Sequence, residues 1–188
     1  MEETFDGDPS ETATLEAYAD TIVPGEKRWP GDRAIAGVSA GGGAVAAGAV
    51  ELMRTDAGGL APALPDLVRA LNAHAEAYRD RLGLERDDSV PAFVALSGEH
   101  RVALVSELVA PGHPEKMLWV GMAIFSNMAF DVGAHLHTSE AMASGHPGLA
   151  ALGYFQPDPD GLWRFPDFSY RRPLADHHPD TTPSGSPA

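Results

Sequence analysis

The sequence predicts an all-α fold: a single-domain bundle of about five helices around a central apolar helix at about 114–136, finished by an extended C-terminal wrap. Three observations carry that reading. Apolar residues recur at three- and four-residue spacing in separate segments, and capping residues and Pro-Gly stops bracket those segments. The third is size: 188 residues, 44% hydrophobic and 21% charged, suffice for one core that buries roughly two-thirds of the unfolded surface.

Residues 1–9 are acidic and are read as a flexible lead-in to a helical domain over 10–173. The first helix is expected from about Ser10 to Val23, with Leu15, Tyr18, Ala19 and Ile22 on one side, Ser10 or Thr12 as N-cap and Pro24-Gly25 as the stop. A second is expected from about Asp32 to Arg54, with Asp32 as its N-cap. Along it Gly37, Gly41, Ala44 and Gly48 form a small-residue stripe beside Val38, Val45 and Leu52. Each glycine inside a helix costs about 1 kcal/mol relative to alanine, so Gly41-Gly42-Gly43 asks for roughly 3 kcal/mol of compensation. Close approach of a ligand or of another backbone would supply it.

The third helix is placed at about Pro65–Leu82, with Leu67, Leu71, Ala75, Tyr78 and Leu82 inward and Gly83 as C-cap. The fourth is placed at about Gly98–Val109, where Val102, Val105 and Leu108 or Val109 alternate with Glu99, Arg101 and Glu107. The fifth, from about Pro114 to Leu136, is apolar almost all round and is therefore assigned to the centre. A helical turn near 138–144 follows. Residues 145–173, dense in proline, glycine and aromatics, are read as an extended surface wrap, and 174–188 as a disordered tail.

The formal charge of −14 disfavours nucleic acid and anionic lipid as partners. With no cysteine, thiolate metal sites, iron–sulfur clusters and disulfides are excluded. No apolar run approaches the roughly 20 residues that span a bilayer, and the first residues do not read as a secretory signal, so a cytoplasmic protein without membrane insertion is expected.

Chemistry is sought first on the fifth helix, where Asn127, Asp131 and His135 follow at i, i+4 and i+8 on an otherwise apolar cylinder. A buried carboxylate needs a partner, and a histidine one turn away can donate to it. The three are candidate catalytic residues, an acid/base dyad with Asn127 beside it. The same stripe also fits a polar network that fixes helix register, or two metal ligands with His137 as a third. No third and fourth ligand stand at a recognised spacing, so no metal site is expected. Trp119, Phe125, His137, Tyr154 and Trp163 are candidate ligand-binding residues that would wall a pocket for a hydrophobic or aromatic small molecule. His74 with Tyr78, and His100, are read as rim or core residues. Arg164, Arg171 and Arg172, interleaved with aromatics, either pin the wrap to the bundle or grip a ligand.

Two stretches carry a family resemblance. Ala19-Asp20-Thr21-Ile22-Val23-Pro24-Gly25, followed by Pro30-Gly31 and Ala36-Gly37-Val38, and later His146-Pro147-Gly148 with Leu152-Gly153-Tyr154, resemble the small-subunit family of membrane-bound gluconate 2-dehydrogenase and related flavin-dependent dehydrogenases. The resemblance implies a small helical, non-catalytic accessory subunit of an oxidoreductase, partnered by a flavoprotein large subunit that carries FAD, with no cofactor bound directly. It also implies that Asp20, with Pro24 and Gly25, is structural, its carboxylate capping the Val23–Gly25 turn or the next helix. Many such subunits carry a twin-arginine leader, which these first residues do not resemble. Two other readings stand beside it: a cofactor-independent cyclase, isomerase or dehydratase of bacterial small-molecule biosynthesis using Asp131 and His135, and a non-catalytic small-molecule-binding protein.

Overall fold

Capping chemistry fixes the first helix of the computed structural model, which describes residues 8–154 and Asp180. Asp8, rather than Ser10 or Thr12, accepts the Ser10 N–H at 3.0 Å, and Pro9 opens α1 (Pro9–Ile22) at the position where its missing N–H costs nothing. The helix buries Thr14, Leu15, Ala17, Tyr18, Ala19 and Asp20. Seven more α-helices follow among the described residues: α2 (Ala49–Arg54), α3 (Leu64–Leu82), α4 (Ala92–Ala95), α5 (Gly98–Leu108), α6 (Lys116–Val132), α7 (Thr138–Ala143) and α8 (Pro147–Ala151), with two short 3₁₀ turns between α2 and α3. The fold is all-α, as expected, and no strand occurs among the described residues.

α1 packs against α2, α3, α4, α5 and α6, so the middle of the bundle is α1. Its Tyr18 is fully buried between the rings of Phe93 and Trp119, each 6.4 Å away, and its hydroxyl donates to the Trp119 carbonyl at 2.6 Å. Burial pushes the phenol well above its ordinary range. On α3 the spacing reads as expected: Leu67, Leu71, Ala75 and Tyr78 are buried and Gly83 closes the helix with φ 64°, although Leu82 faces solvent.

The expected helix over 32–54 forms only as α2. Residues 23–48 are irregular instead, and glycine explains why. Gly41 and Gly48 adopt φ of 79° and 83°, left-handed values that side chains rarely take and that end a helix. The glycine run also brings two backbones together. Glu26 N–H donates to Gly41 O at 2.8 Å, and Ala44 N–H to Val23 O at 2.9 Å. A Cβ on Gly43 would lie 2.4 Å from Val23 O. Of the two expectations for this run, close backbone packing is the one observed, against the Pro24-Gly25 turn.

Buried charges tie down part of this loop. Asp20 accepts from Gly25 N–H (3.0 Å) and Ala36 N–H (2.8 Å), which is the turn-capping role the resemblance implied. Asp32 caps a turn rather than a helix, accepting from Ala34 N–H at 3.2 Å while Arg28 Nε donates to its other oxygen at 2.7 Å. Burial raises its carboxyl, but the Arg28 guanidinium and the turn amides outweigh that and hold the pKa below the ordinary value. From α5, Arg101 donates to the carbonyls of Leu96 (3.0 Å), Ala34 (2.6 Å), Arg33 (2.7 Å) and Val94 (2.6 Å). It is 3% exposed while neighbouring Val102 is 52% exposed, the reverse of the expected inward valine. Burial lowers its pKa to about 10, so it stays charged at neutral pH.

Replacing Arg101 with Met should cost about 3–5 kcal/mol, because four carbonyls lose their donor and Asp20 and Asp32 lose a nearby positive charge. Chemical denaturation of the Arg101→Met and Arg101→Lys chains checks this. Lysine should recover part of the charge effect and leave most of the fork-like hydrogen bonding lost.

Candidate functional site

The polar stripe on α6 does not assemble. Asn127 is exposed and its amide donates to the Ala123 carbonyl of its own helix at 3.0 Å, and Asp131 is exposed too. Gly133, at φ 57°, ends the helix before His135, so the i+8 position is no longer in register. No hydrogen bond joins Asp131 to His135. The ring of His135 instead lies against Gly48, where a Cβ would stand 2.3 Å from Nε2, and its Nδ1 is buried with no hydrogen-bond partner among the described residues. Desolvation by burial lowers its pKa, with His146 adding to the shift and Glu51 opposing it.

The candidate pocket residues also face different neighbours. Trp119 is fully buried against Tyr18 and His74. Phe125 is half-buried against the chain at Gly58, His137 is exposed with Nδ1 2.8 Å from the Ser139 hydroxyl, and Tyr154 is exposed. Trp163 lies outside the described residues, as do Arg164, Arg171, Arg172, most of the expected wrap and nearly all of the tail. The described start of that wrap, from Pro147 to Ala151, is helical.

Three features remain. A groove of about 330 Å³ is lined by Asp20, Thr21, Pro24, Ala36, Val38 and the first turns of α5, so that residues of the first resembling stretch share one surface. Along α6, Met117, Ile124, Met128 and Val132 lie exposed in one line, with Leu118 at its flank, while the opposite side buries Trp119, Met122, Ser126 and Ala129. Gly121 sits in that line with open space above it.

The third feature ties α3 to the start of α6. His74 Nε2 lies 2.7 Å from Glu115 Oε2, the same oxygen accepts from Trp119 Nε1–H at 3.3 Å, and the His113 ring packs edge-on against His74 at 5.8 Å. The His74 hydrogen bond outweighs partial desolvation and holds the Glu115 carboxyl below its ordinary pKa. Donor atoms of His74, His113 and Glu115 lie within 4.8 Å of one another. Sequence reading passed over this cluster because His113 and Glu115 are about 40 residues from His74. The nearest signal was the His-x-Glu spacing just before an apolar helix.

A family profile described as a family of unknown function, DUF5987, matches residues 9–188. The chain belongs to that family. No curated protein and no solved structure matches it. The family description assigns no reaction to the loop, the α6 line or the α3–α6 cluster, so their geometry carries the functional argument.

Two outcomes separate these side chains. Asp131→Asn should change stability by no more than about 0.5 kcal/mol, because the carboxylate is exposed and makes no hydrogen bond or ion pair with another described residue; equilibrium denaturation reads this directly. His135 binds its proton less readily folded than unfolded. The unfolded chain therefore takes up more protons as pH falls below about 6.5, and stability is lost from there down through the lowered folded pKa. The difference in melting temperature between pH 7.5 and 5 should shrink in His135→Gln relative to the parent chain.

Proposed function

We propose that this chain is a non-catalytic helical subunit that docks through the outer line of α6 on a larger, flavin-carrying dehydrogenase acting on a small molecule. The observation that carries the reading is the exposed apolar line itself. Met117, Gly121, Ile124, Met128 and Val132 recur at four- and three-residue steps along 17 residues of helix, and Met117 is 74% exposed. Such a line matches the seam by which one helix packs on another. An apolar stripe of that length left in water marks an interaction surface more often than it marks nothing. The occupant is taken to be an apolar helix of the large subunit. The resemblance of the Ala19–Gly25 and His146–Tyr154 stretches to accessory subunits supports this occupant, and the observed capping by Asp20 agrees with the structural role that resemblance implies.

The acid/base alternative has less geometric support, since Asp131 is exposed and no hydrogen bond joins it to His135. No described helix is long and apolar enough to cross a membrane, so the apolar line on α6 is not a spanning segment.

The test is affinity purification of the tagged chain from its host, with native mass and absorption spectrum measured on the product. A stoichiometric complex with a yellow, flavin-absorbing chain is expected. It should be lost in Ile124→Glu and Met128→Glu chains whose melting temperature is unchanged. Recovery as a colourless monomer, or as a homodimer broken by the same changes, would overturn the proposal.

A further inference from the structure

We infer that His74, His113 and Glu115 form a binding site for one divalent transition-metal ion of the zinc type. The inference is independent of the docking reading, because the three side chains lie on the α3-facing side of α6, away from the apolar line. Their donor set is two imidazoles and one carboxylate, the mixed nitrogen and oxygen set that zinc and its neighbours in the first transition row accept and that magnesium and calcium, which prefer all-oxygen shells, do not.

Geometry places these donors close to what such an ion needs. In a tetrahedral site with bonds of about 2.1 Å, donor atoms stand about 3.4 Å apart. Here all three fall within 4.8 Å, and His74 Nε2 and Glu115 Oε2 are already in contact at 2.7 Å. In the structure a proton holds that pair together, and a cation would take its place between the same two atoms. All three residues are half-buried, so an ion can enter from solvent while the site keeps a fixed shape.

The supporting contacts fit as well. Trp119 Nε1–H donates to Glu115 Oε2 at 3.3 Å, the kind of outer hydrogen bond that orients a ligating carboxylate. Glu115 N–H points at His113 Nδ1 at 3.2 Å and sets the angle of that ring. Loading asks for a local adjustment: His113 either offers Nδ1 in place of that amide contact or turns to present its other nitrogen, the His74–Glu115 pair opens from 2.7 Å, and no other pair has to close by more than about 1.4 Å to reach tetrahedral spacing. Three protein ligands leave a fourth position for water, as in open rather than closed zinc sites.

The experiment is a titration of the chelator-treated full chain with Zn²⁺ alone, by calorimetry, and with Co²⁺ alone, by visible absorption. A control chain carries His177→Gln and His178→Gln, which removes the adjacent histidine pair elsewhere in the sequence. One equivalent should bind in both the parent and this control, with the visible bands of nitrogen- and oxygen-ligated cobalt. Affinity should fall at least about tenfold in His74→Gln, in His113→Gln and, as a check that keeps side-chain size, in Glu115→Gln. Far-ultraviolet circular dichroism of each metal-free variant confirms that it is folded, and a variant that fails this leaves the other two to decide. Absence of binding in the parent, binding that survives all folded variants, or binding lost only in the tail control would each overturn the inference.

Discussion

The buried guanidinium of Arg101 is the contact on which the irregular segment 23–48 depends. A segment as long as 23–48 with no helix of its own leaves many backbone groups without regular partners, and buried groups of that kind are expensive. Arg101 answers part of the carbonyl side by donating to Arg33 and Ala34, as well as to Val94 and Leu96 beyond the segment, and Asp20 answers part of the amide side by accepting from Gly25 and Ala36. Because the two side chains come from α5 and α1, the loop is clamped between the helices that sandwich it. A methionine or leucine at 101 would fill the volume and satisfy none of this, which is why an apparently solvent-type residue occupies the core while Val102 is left outside.

The same logic explains why α6 is not the centre of the bundle although it is the most apolar helix. Centrality follows from how many faces find partners, and α1 finds five neighbouring helices using alanine, leucine, tyrosine and threonine. α6 meets α1, α2, α5 and α8 and buries only the side bearing Trp119, Met122, Ser126 and Ala129. The all-round apolar pattern therefore covers two faces, and among the described residues only one of them is buried.

Much of the regular structure was legible because it rests on local rules. The 3.6-residue spacing of α3, its glycine C-cap and the Pro-Gly stop after α1 each follow from residues within one or two turns of their effect. What failed was long-range or cumulative. The 32–54 helix looked plausible residue by residue, yet glycines that must take positive φ, together with a backbone pairing to Val23–Glu26, removed it. The Asn127–Asp131–His135 stripe assumed the helix ran on past Gly133. The half-buried histidine–glutamate cluster was invisible for the opposite reason: His74 sits on α3, His113 and Glu115 in the turn before α6, and they meet only after packing. The capping of Gly25 by Asp20, five residues away, was implied by the family resemblance, whereas its second contact, to Ala36 sixteen residues away, forms only once the loop has folded back.

Trp119 and Met117 show how a single helix presents two unlike faces. Two positions apart, they point about 160° away from each other on an α-helix. Trp119 sits inside, between Tyr18 of α1 and His74 of α3, and its indole N–H reaches Glu115. Met117 stands outside at the head of the apolar line. The inner side is thus fixed by aromatic packing and by the His74–Glu115 contact before anything binds outside. A helix anchored in this way can present a rigid surface at little entropic cost, because its backbone is already ordered by the core. The separation of the two faces also means that a partner covering Met117, Ile124 and Met128 leaves His74, His113 and Glu115 open to solvent, so occupancy of one surface does not require release of the other.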